Sequence, residues 1–257
     1  TVPASTSDDV QQAVDAANDA RTAWASLTID ERVSWLDKIA NSLESQSEKI
    51  ASLESLDTGK PISLARAVDA ARSVTNFRFF AKFAKDYTDE KFEMEDAVNH
   101  VILKPVGIAG LITPWNLPLY LLSWKIAPAI VMGNTVVAKP SELTPLTANL
   151  LAEVIDEVGL PAGVVNIVHG SGPEAGQAIV DHPEISLISF TGGTATGRKV
   201  AATAAPMFKK LSLELGGKNA SVVLDDADLE TTIPGVARAG FLNQGQVCLC
   251  GSRIFVS

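Results

Sequence analysis

The 257-residue sequence predicts an α/β protein, with helices first and a parallel sheet after them. Two observations support this fold class. Apolar residues recur at helical spacing through the first third of the chain, and from about residue 106 short β-rich runs alternate with helical stretches. Because strands that alternate with helices usually pair in parallel, the region from residue 106 is expected to form one sheet covered by helices.

The predicted helices occupy residues 7–86. The first begins after the start signal Ser7-Asp8-Asp9. The segment Asp57-Thr58-Gly59-Lys60-Pro61 interrupts the pattern after the second helix, and a third helix is predicted to run to about Lys85. The apolar faces of the first two helices, which indicate core packing, comprise Val10, Ala13, Val14, Ala17 and Trp24, and Val33, Leu36, Ala40 and Leu43.

Residues 87–104 are polar and charged, with an alternating pattern near Val101-Ile102-Leu103 that predicts a hairpin away from the main core. The α/β core follows over residues 106–213. Thr144-Pro145 is predicted to begin a helix that Gly159 ends. The predicted strands are Val106–Ile112, Thr135–Ala138, Val164–Val168, Leu187–Phe190, Leu211–Leu213 and Ser221–Leu224.

Composition narrows the class of protein. The net charge of −9 argues against a nucleic-acid partner, and no apolar run reaches the ~18 residues of a membrane-spanning helix. Two cysteines fit a reducing compartment, so a cytoplasmic protein is expected. Cys248 and Cys250 lack nearby histidines, so no metal site is predicted there. The N-terminus Thr1–Ser5 shows no signal peptide and lacks Met, which suggests a piece of a longer chain.

Two glycine-rich segments follow predicted strands and precede helices. Gly170–Ala175 fits the dinucleotide fingerprint G-x-G-x-x-G/A, but the acidic residue expected about 20 positions later is absent. We therefore interpret it either as a tight turn near a cofactor or as a purely structural turn. Phe190–Gly197 offers flexible backbone and the free N–H groups of a helix start, which suit an anionic ligand.

Polar groups follow the first two predicted strands of the core. Asn116, within Thr113–Pro118, supplies an amide N–H that could stabilise an oxyanion, or could simply bond within its own turn. Lys139 and Glu142 follow the second strand and could bind ribose hydroxyls, or could form a solvated pair in a loop. Because ligands of open α/β sheets bind at the carboxyl ends of strands, both segments lie where a site is expected.

Two further segments carry groups suited to covalent catalysis. Glu214 begins Glu214-Leu215-Gly216-Gly217-Lys218 and could act as a general base. Cys248 lies in Gln244–Cys250 and could act as a nucleophile.

The order of Pro-Trp-Asn, Lys-Pro-Ser-Glu, Phe-Thr-Gly, Glu-Leu-Gly-Gly-Lys and Gly-Gln-x-Cys resembles the aldehyde dehydrogenase superfamily. The resemblance covers the whole chain and implies an aldehyde-dehydrogenase-like fold. Residues 1–213 would form an NAD-binding domain with a Rossmann-type sheet. Residues 214–257 would begin a catalytic domain that is truncated at Ser257, so this piece is expected to be inactive by itself.

By the same resemblance, Cys248 is the nucleophile, Glu214 the general base, and Asn116 with the Cys248 N–H the oxyanion hole. The enzyme would oxidise an aldehyde through a thiohemiacetal and a thioester on Cys248. NAD is favoured over NADP because a carboxylate at Glu142 would repel a 2′-phosphate. The residues expected to bind the cofactor are Ile112, Thr113, Pro114, Trp115, Lys139, Ser141, Glu142, Gly172, Gly176, Phe190, Thr191, Gly192, Gly193 and Leu215.

Residues 72–80 and 116–129 are similar to the corresponding parts of 2-aminomuconate and 2-hydroxymuconate semialdehyde dehydrogenases. The substrates of that group carry a carboxylate, which calls for a cation in the pocket. Arg72 is the first candidate and Arg66 the reserve, with Trp124 as a further substrate residue. Cys250 is interpreted as a packing residue, with a disulfide to Cys248 as the alternative.

Three alternatives stay open. A betaine-, succinate-semialdehyde- or broad-range aldehyde dehydrogenase would share the chemistry. A catalytically silent scaffold would not need the intact Cys248, Glu214 and Asn116. A cysteine hydrolase would need a histidine near the cysteine, and none is close in sequence. The resemblance of residues 87–104 to the oligomerisation strands of the superfamily implies a homodimer or homotetramer.

Overall fold

Five helices begin the chain, in a computed structural model that describes residues 2–257. A wide turn of π-helix over Arg66–Ala70 joins the last two without a break. The helices are α1 (Ser7–Ser26), α2 (Ile29–Ser45), α3 (Ser47–Thr58), α4 (Ile62–Ala65) and α5 (Ala71–Asp86). The predicted apolar faces of the first two helices are confirmed, because all nine residues are buried.

The hairpin predicted after these helices is present. Strands β1 (Glu90–Glu93) and β2 (Val98–Val101) pair antiparallel, and every residue of both is exposed. The hairpin therefore leaves the core, as its polar sequence indicates.

A five-stranded parallel sheet and four helices make up the α/β core. The strands are β3 (Ile108–Ile112), β4 (Thr135–Lys139), β5 (Val165–Ile167), β6 (Ile185–Gly192) and β7 (Lys210–Leu215). The helices are α6 (Pro118–Val131), α7 (Leu146–Glu157), α8 (Gln177–Asp181) and α9 (Thr194–Ala204). The predicted parallel sheet is thus confirmed for the first five predicted strands, whereas the sixth, Ser221–Leu224, belongs to a separate small sheet.

Side chains that alternate along the strands build two cores, one on each face of the sheet. Ala109 and Leu111 face the core formed with α2, α5, α6 and α7. Ile108 and Ile188 face the other core, formed with α1, α8 and α9.

The last part of the chain forms a smaller unit. Strands β8 (Ala220–Val223) and β9 (Arg253–Val256) pair in parallel, apart from the main sheet, and α10 (Leu229–Phe241) connects them. The expected domain boundary at residue 213/214 falls within β7, so the main sheet extends two residues beyond it. No helix within residues 2–257 combines the length and the apolar character needed to cross a membrane.

Three details differ from the sequence-based expectations. The chain breaks at Gln46, between α2 and α3, where no glycine or proline marks the break. Helix α7 begins one residue after Pro145, and Thr144 does not cap it. The Leu146 N–H instead donates to the Asp57 carboxylate at 2.9 Å, so a side chain from α3 satisfies the start of α7. Thr1, the first residue of the segment Thr1–Ser5, lies outside the described residues.

Two long side chains fix the N-terminal helices to the end of α6. The indole N–H of Trp24 donates to the Ile130 carbonyl at 2.9 Å, and Arg32 Nε donates to the Val131 carbonyl at 2.7 Å. Both side chains are buried. Both therefore donate to carbonyls of the last turn of α6, where helix carbonyls lack intrahelical partners, and the Ile130 carbonyl also accepts the Gly133 N–H at 3.0 Å.

Trp24→Phe is expected to lower the stability, because it keeps an aromatic ring but removes one of the two hydrogen bonds that the Ile130 carbonyl accepts, the other coming from the Gly133 N–H. The cost of the lost hydrogen bond is about 0.5–1.5 kcal/mol, which corresponds to a decrease in Tm of a few degrees. Thermal unfolding followed by calorimetry measures the change. Trp35→Phe is the control, since Trp35 is only partly buried. Equal Tm values for the two variants would contradict the role of the indole N–H.

Candidate active site

A cleft of about 550 Å³ lies at the carboxyl edge of the sheet. Strands β4 and β5 extend the sheet on one side of β3, and β6 and β7 extend it on the other. This reversal of strand order beside β3 is where ligands of open α/β sheets bind. The cleft is lined by Pro114, Trp115, Asn116, Leu117, Tyr120, Leu121, Trp124, Thr191, Gly192, Gly193, Glu214, Leu215, Gly216, Gly217, Gly245, Gln246, Val247 and Cys248.

Cys248 reaches this cleft on a turn that follows α10. Asn243, Gln244 and Gly245 have φ values of 53°, 61° and 71°, so three consecutive residues adopt the left-handed conformation. The chain thereby reverses just before Cys248, whose thiol is exposed. Among residues 2–257, no backbone or side-chain acceptor binds the Cys248 N–H. The thiol and this N–H are therefore both available to a ligand in the cleft.

Asn116 lies between β3 and α6, opposite the cysteine turn. Its side-chain Nδ2 donates to the Gln246 carbonyl at 2.6 Å. An amide nitrogen carries two hydrogens, so one remains for a ligand. The alternative, in which the Asn116 side chain bonds only within its own turn, is therefore wrong.

Glu214 is exposed near the end of β7 and pairs in register with Thr191 of β6. Its side chain lines the main cleft and also a side pocket of about 330 Å³, which includes Lys125 and Ser189. Buried Lys125 donates to Ser189 Oγ at 2.7 Å. Burial lowers the pKa of Lys125 to about 8, although the Glu214 charge opposes this shift.

Lys125 was missed in the sequence analysis. A signal for it exists, because it is the only charged residue in the apolar helix Pro118–Val131. A lone lysine in such a helix needs a polar partner when it is buried, and here Glu214 and Ser189 provide the polar surroundings.

Lys139 and Glu142 form a second group at the end of β4. Lys139 Nζ donates to Glu142 Oε2 at 2.9 Å, and the lysine side chain is only 3% exposed. Burial raises the pKa of Glu142, but the hydrogen bonds from Lys139 and from the backbone N–H groups of Glu142 and Gly172 together hold the pKa below its usual value. The two residues are thus a partly buried ion pair beside Gly172, not a solvated pair in a loop.

Two residues expected near this pair have local roles. Ser141 is buried, and its hydroxyl accepts a hydrogen bond from the Leu143 N–H at 3.2 Å. Gly176 is buried beneath the Lys139 stem, since a Cβ there would lie 3.5 Å from Lys139 Cδ. Their contacts with a cofactor stay predictions.

The segment after β6 provides open backbone at the cleft. A Cβ on Gly192 would lie 2.5 Å from the ring of buried Phe190, so only glycine fits there. Gly193 caps α9 and has open space around it. The first N–H groups of α9 are therefore accessible to an anion. Leu215 lines the same cleft, whereas Thr113 is buried and Ile112 is half-buried at the end of β3.

The structure distinguishes the two candidate arginines. Exposed Arg66 forms a fork with Glu48, with bonds of 2.7 and 2.8 Å. Arg72 is half-buried, lies 5.1 Å from the ring centre of Tyr120, and forms no ion pair with a carboxylate of residues 2–257. Tyr120 and Trp124 both line the cleft, so Arg72 lies beside it with its charge unpaired within the described chain.

Three buried ionisable groups behind the cleft were also missed in the sequence analysis. Lys60 Nζ lies 2.8 Å from Asp69 Oδ2 and 3.3 Å from the Asn116 carbonyl. Glu54 Oε1 accepts hydrogen bonds from the Leu119 N–H and the Thr147 hydroxyl, both at 2.9 Å. Burial, and secondarily the Asp69 charge, raises the pKa of Glu54 to about 7.

Fold and cleft together define a Rossmann-type α/β protein with an exposed cysteine at the carboxyl edge of its sheet. The chain belongs to the aldehyde dehydrogenase family, whose model matches residues 1–257.

Relatives of known name agree with this family. The chain is 51% identical to human 2-aminomuconic semialdehyde dehydrogenase, over 99% of this chain and 53% of that protein. It is 45% identical to 2-hydroxymuconic semialdehyde dehydrogenase of Pseudomonas sp. strain CF600, over 96% and 52%. The crystal structure of PnpE in complex with nicotinamide adenine dinucleotide matches with a TM-score of 0.96 and 44% identity, over 99% and 53%. The chain spans about half the length of these relatives.

The raised pKa of Glu54 predicts that stability depends on pH. A group whose pKa is higher in the folded state stabilises the fold at low pH, and this contribution is lost as pH rises through the folded pKa. Wild-type stability should therefore fall between pH 5 and pH 8, by on the order of 2–3 kcal/mol. Glu54→Gln keeps a neutral acceptor and should lack this loss.

Tm values of both proteins between pH 5 and pH 8 measure the difference. Glu48→Gln, at an exposed carboxylate, should retain the wild-type dependence on pH. A Glu54→Gln variant that loses stability as steeply as the wild type would refute the assignment.

Proposed function

We propose that the complete protein oxidises an aldehyde to a carboxylate with NAD, through covalent adducts on Cys248. The observation that carries the proposal is the convergence of Cys248, Glu214 and Asn116 on one cleft at the carboxyl edge of the sheet. These three residues come from three separate parts of the chain.

The thiol and its surroundings suit attack on a carbonyl. When Cys248 Sγ bonds to an aldehyde carbon, the π electron pair of the carbonyl moves onto its oxygen. The Cys248 N–H and the remaining N–H of the Asn116 side chain are free to donate to that oxygen. Donors that are already oriented stabilise such an oxyanion at little cost of reorganisation.

Glu214 is the proposed general base. It is exposed to the cleft, where its carboxylate can take a proton from the water that releases the acyl group from Cys248. Lys125 lines the side pocket that Glu214 also lines, so a buried ammonium lies near the proposed base.

Several features fit a dinucleotide. Lys139 and Glu142 would bind ribose hydroxyls, and the open backbone at Gly172 and Gly193 would lie against the phosphates. The ionised Glu142 carboxylate would repel a 2′-phosphate, which favours NAD over NADP. When bound, the nicotinamide group supplies the acceptor for the hydride of the aldehyde.

We further propose that the substrate carries a carboxylate, as 2-aminomuconate and 2-hydroxymuconate semialdehydes do. Arg72 supports this proposal, since it lies beside the cleft and forms no ion pair with a carboxylate of residues 2–257. A guanidinium in this position can bind a carboxylate through two parallel hydrogen bonds.

The cysteine hydrolase alternative has little support. None of the three histidines, His100, His169 and His182, lines the cleft that contains Cys248. A thiol–imidazole pair would require one of them within hydrogen-bond reach. The free, buried Cys250 also supports packing over a disulfide with Cys248.

We also propose that the complete protein assembles as a homodimer or homotetramer through the hairpin of β1 and β2. The hairpin is fully exposed and carries large apolar side chains, including Phe92 and Val98. An exposed strand edge next to apolar side chains is a common site of association.

Cys248→Ala in the complete protein should reduce NADH formation by at least about a thousandfold, because no other exposed thiol is available among residues 2–257. Initial rates with 2-hydroxymuconate semialdehyde and NAD measure the effect. Cys250→Ala is the matched control and should retain activity, since Cys250 is buried. Activity that survives in Cys248→Ala would eliminate the covalent mechanism.

Arg72→Met should raise KM for a carboxylate-bearing aldehyde by about 10- to 100-fold, because it removes a charged hydrogen bond worth on the order of 1.5–3 kcal/mol. KM for a plain aliphatic aldehyde should change little. Arg66→Met serves as the control, since Arg66 pairs with Glu48 on the surface. Equal effects of Arg72→Met on both aldehydes would contradict carboxylate recognition.

A further inference from the structure

A closed ring of hydrogen bonds joins the cysteine turn to the Asn116 turn. Asn243 Nδ2 donates to the Asn116 carbonyl at 2.9 Å and to the Gln246 carbonyl at 3.3 Å. Asn116 Nδ2 donates to the same Gln246 carbonyl at 2.6 Å. Two side-chain amides therefore bind one carbonyl, two residues before Cys248.

The ring is anchored on both sides. On one side, Lys60 donates to the Asn116 carbonyl and is held by Asp69, with Lys60 only 2% exposed. On the other side, Asn243 is 4% exposed and has a φ of 53°, a conformation that asparagine and glycine tolerate best. The backbone conformation of Asn243 and the burial of its side chain thus fix the direction in which its amide points.

We propose that Asn243 is a positioning residue, which holds Asn116 and the Cys248 turn at the separation needed for both to bind one oxyanion. Asn116 and Asn243 lie 127 residues apart, one between β3 and α6 and the other after α10, so nothing in the local sequence fixes this separation. Asn243 itself does not line the cleft and acts through its two neighbours. The inference rests on the proposed function for the roles of Cys248 and Asn116.

Two variants of the complete protein test the role. Asn243→Gly keeps the left-handed backbone and removes the amide. Asn243→Asp keeps the shape of the side chain but removes both N–H donors. The matched control is Asn166→Gly, because Asn166 Nδ2 also donates to two carbonyls, those of Val136 and Gly163, away from the cleft.

Two measurements need no turnover. The rate of Cys248 alkylation by iodoacetamide reports access to the thiol, since this displacement forms no oxyanion. Protection of Cys248 by succinate semialdehyde, without NAD, reports the thiohemiacetal, in which a sulfur–carbon bond forms and the thiol proton reaches the former carbonyl oxygen. Peptide mass analysis identifies the alkylated cysteine.

Both Asn243 variants should alkylate within about twofold of the wild-type rate and require about tenfold more aldehyde for protection, because a small misplacement of the donors weakens the adduct. Asn166→Gly should match the wild type in both measurements. Protection equal to the wild type in both Asn243 variants would overturn the inference. Loss of folding in both Asn243 variants would also overturn the inference. An equal decrease in the alkylation rate and in protection that Asn166→Gly also shows would overturn it as well.

NADH formation by the wild type tests the proposed function separately. Wild-type protein that forms no NADH but is protected by aldehyde, with weaker protection in the Asn243 variants, would refute the oxidation and support the positioning role. Wild-type protein that shows no protection at all would overturn the positioning role.

Discussion

Parallel pairing of β3 with β4 on one side and with β6 on the other brings the carboxyl ends of five strands to one edge of the sheet. The segments that carry Asn116, Lys139, Gly193 and Glu214 all follow or end these strands. Their proximity is therefore a consequence of strand register, with Ile112 opposite both Lys139 and Phe190. A one-residue slip of β6 or β7 would turn the side chains of that strand to the other face of the sheet and disperse the cleft.

Buried charged side chains bind groups at the carboxyl edge of the sheet and stabilise it. A buried ammonium is costly unless it is paired, and Lys60 meets this condition with Asp69 and the Asn116 carbonyl. Lys125 is likewise held by Ser189 beneath Glu214. The cleft thus combines exposed reactive groups with buried polar groups that restrict the movement of the backbone around them.

The sequence predicted the parallel sheet, the hairpin and most of the cleft, because these depend on apolar periodicity and on local turn chemistry. Gly193 and Asn116 could be found from the segments around them. The contacts of Lys60 and Asn243 could not, since each joins residues 56 or 127 positions apart. The break at Gln46 was missed for a different reason, because no glycine or proline marks the end of α2 there. Gly176 lies against the stem of Lys139, and its contact with a cofactor stays a prediction.

The C-terminal half of α3 has a consequence for the order of folding. Glu54 binds the Leu119 N–H at the start of α6, and Asp57 binds the Leu146 N–H at the start of α7, across sequence separations of 65 and 89 residues. The first turns of two later helices are therefore completed only when an earlier helix docks on them. Contacts of such long range slow folding, because loop closure must precede the stabilisation they provide. A nascent chain that has already made the first strands of the sheet still depends on α3, a helix outside the sheet, to complete the crossover helices.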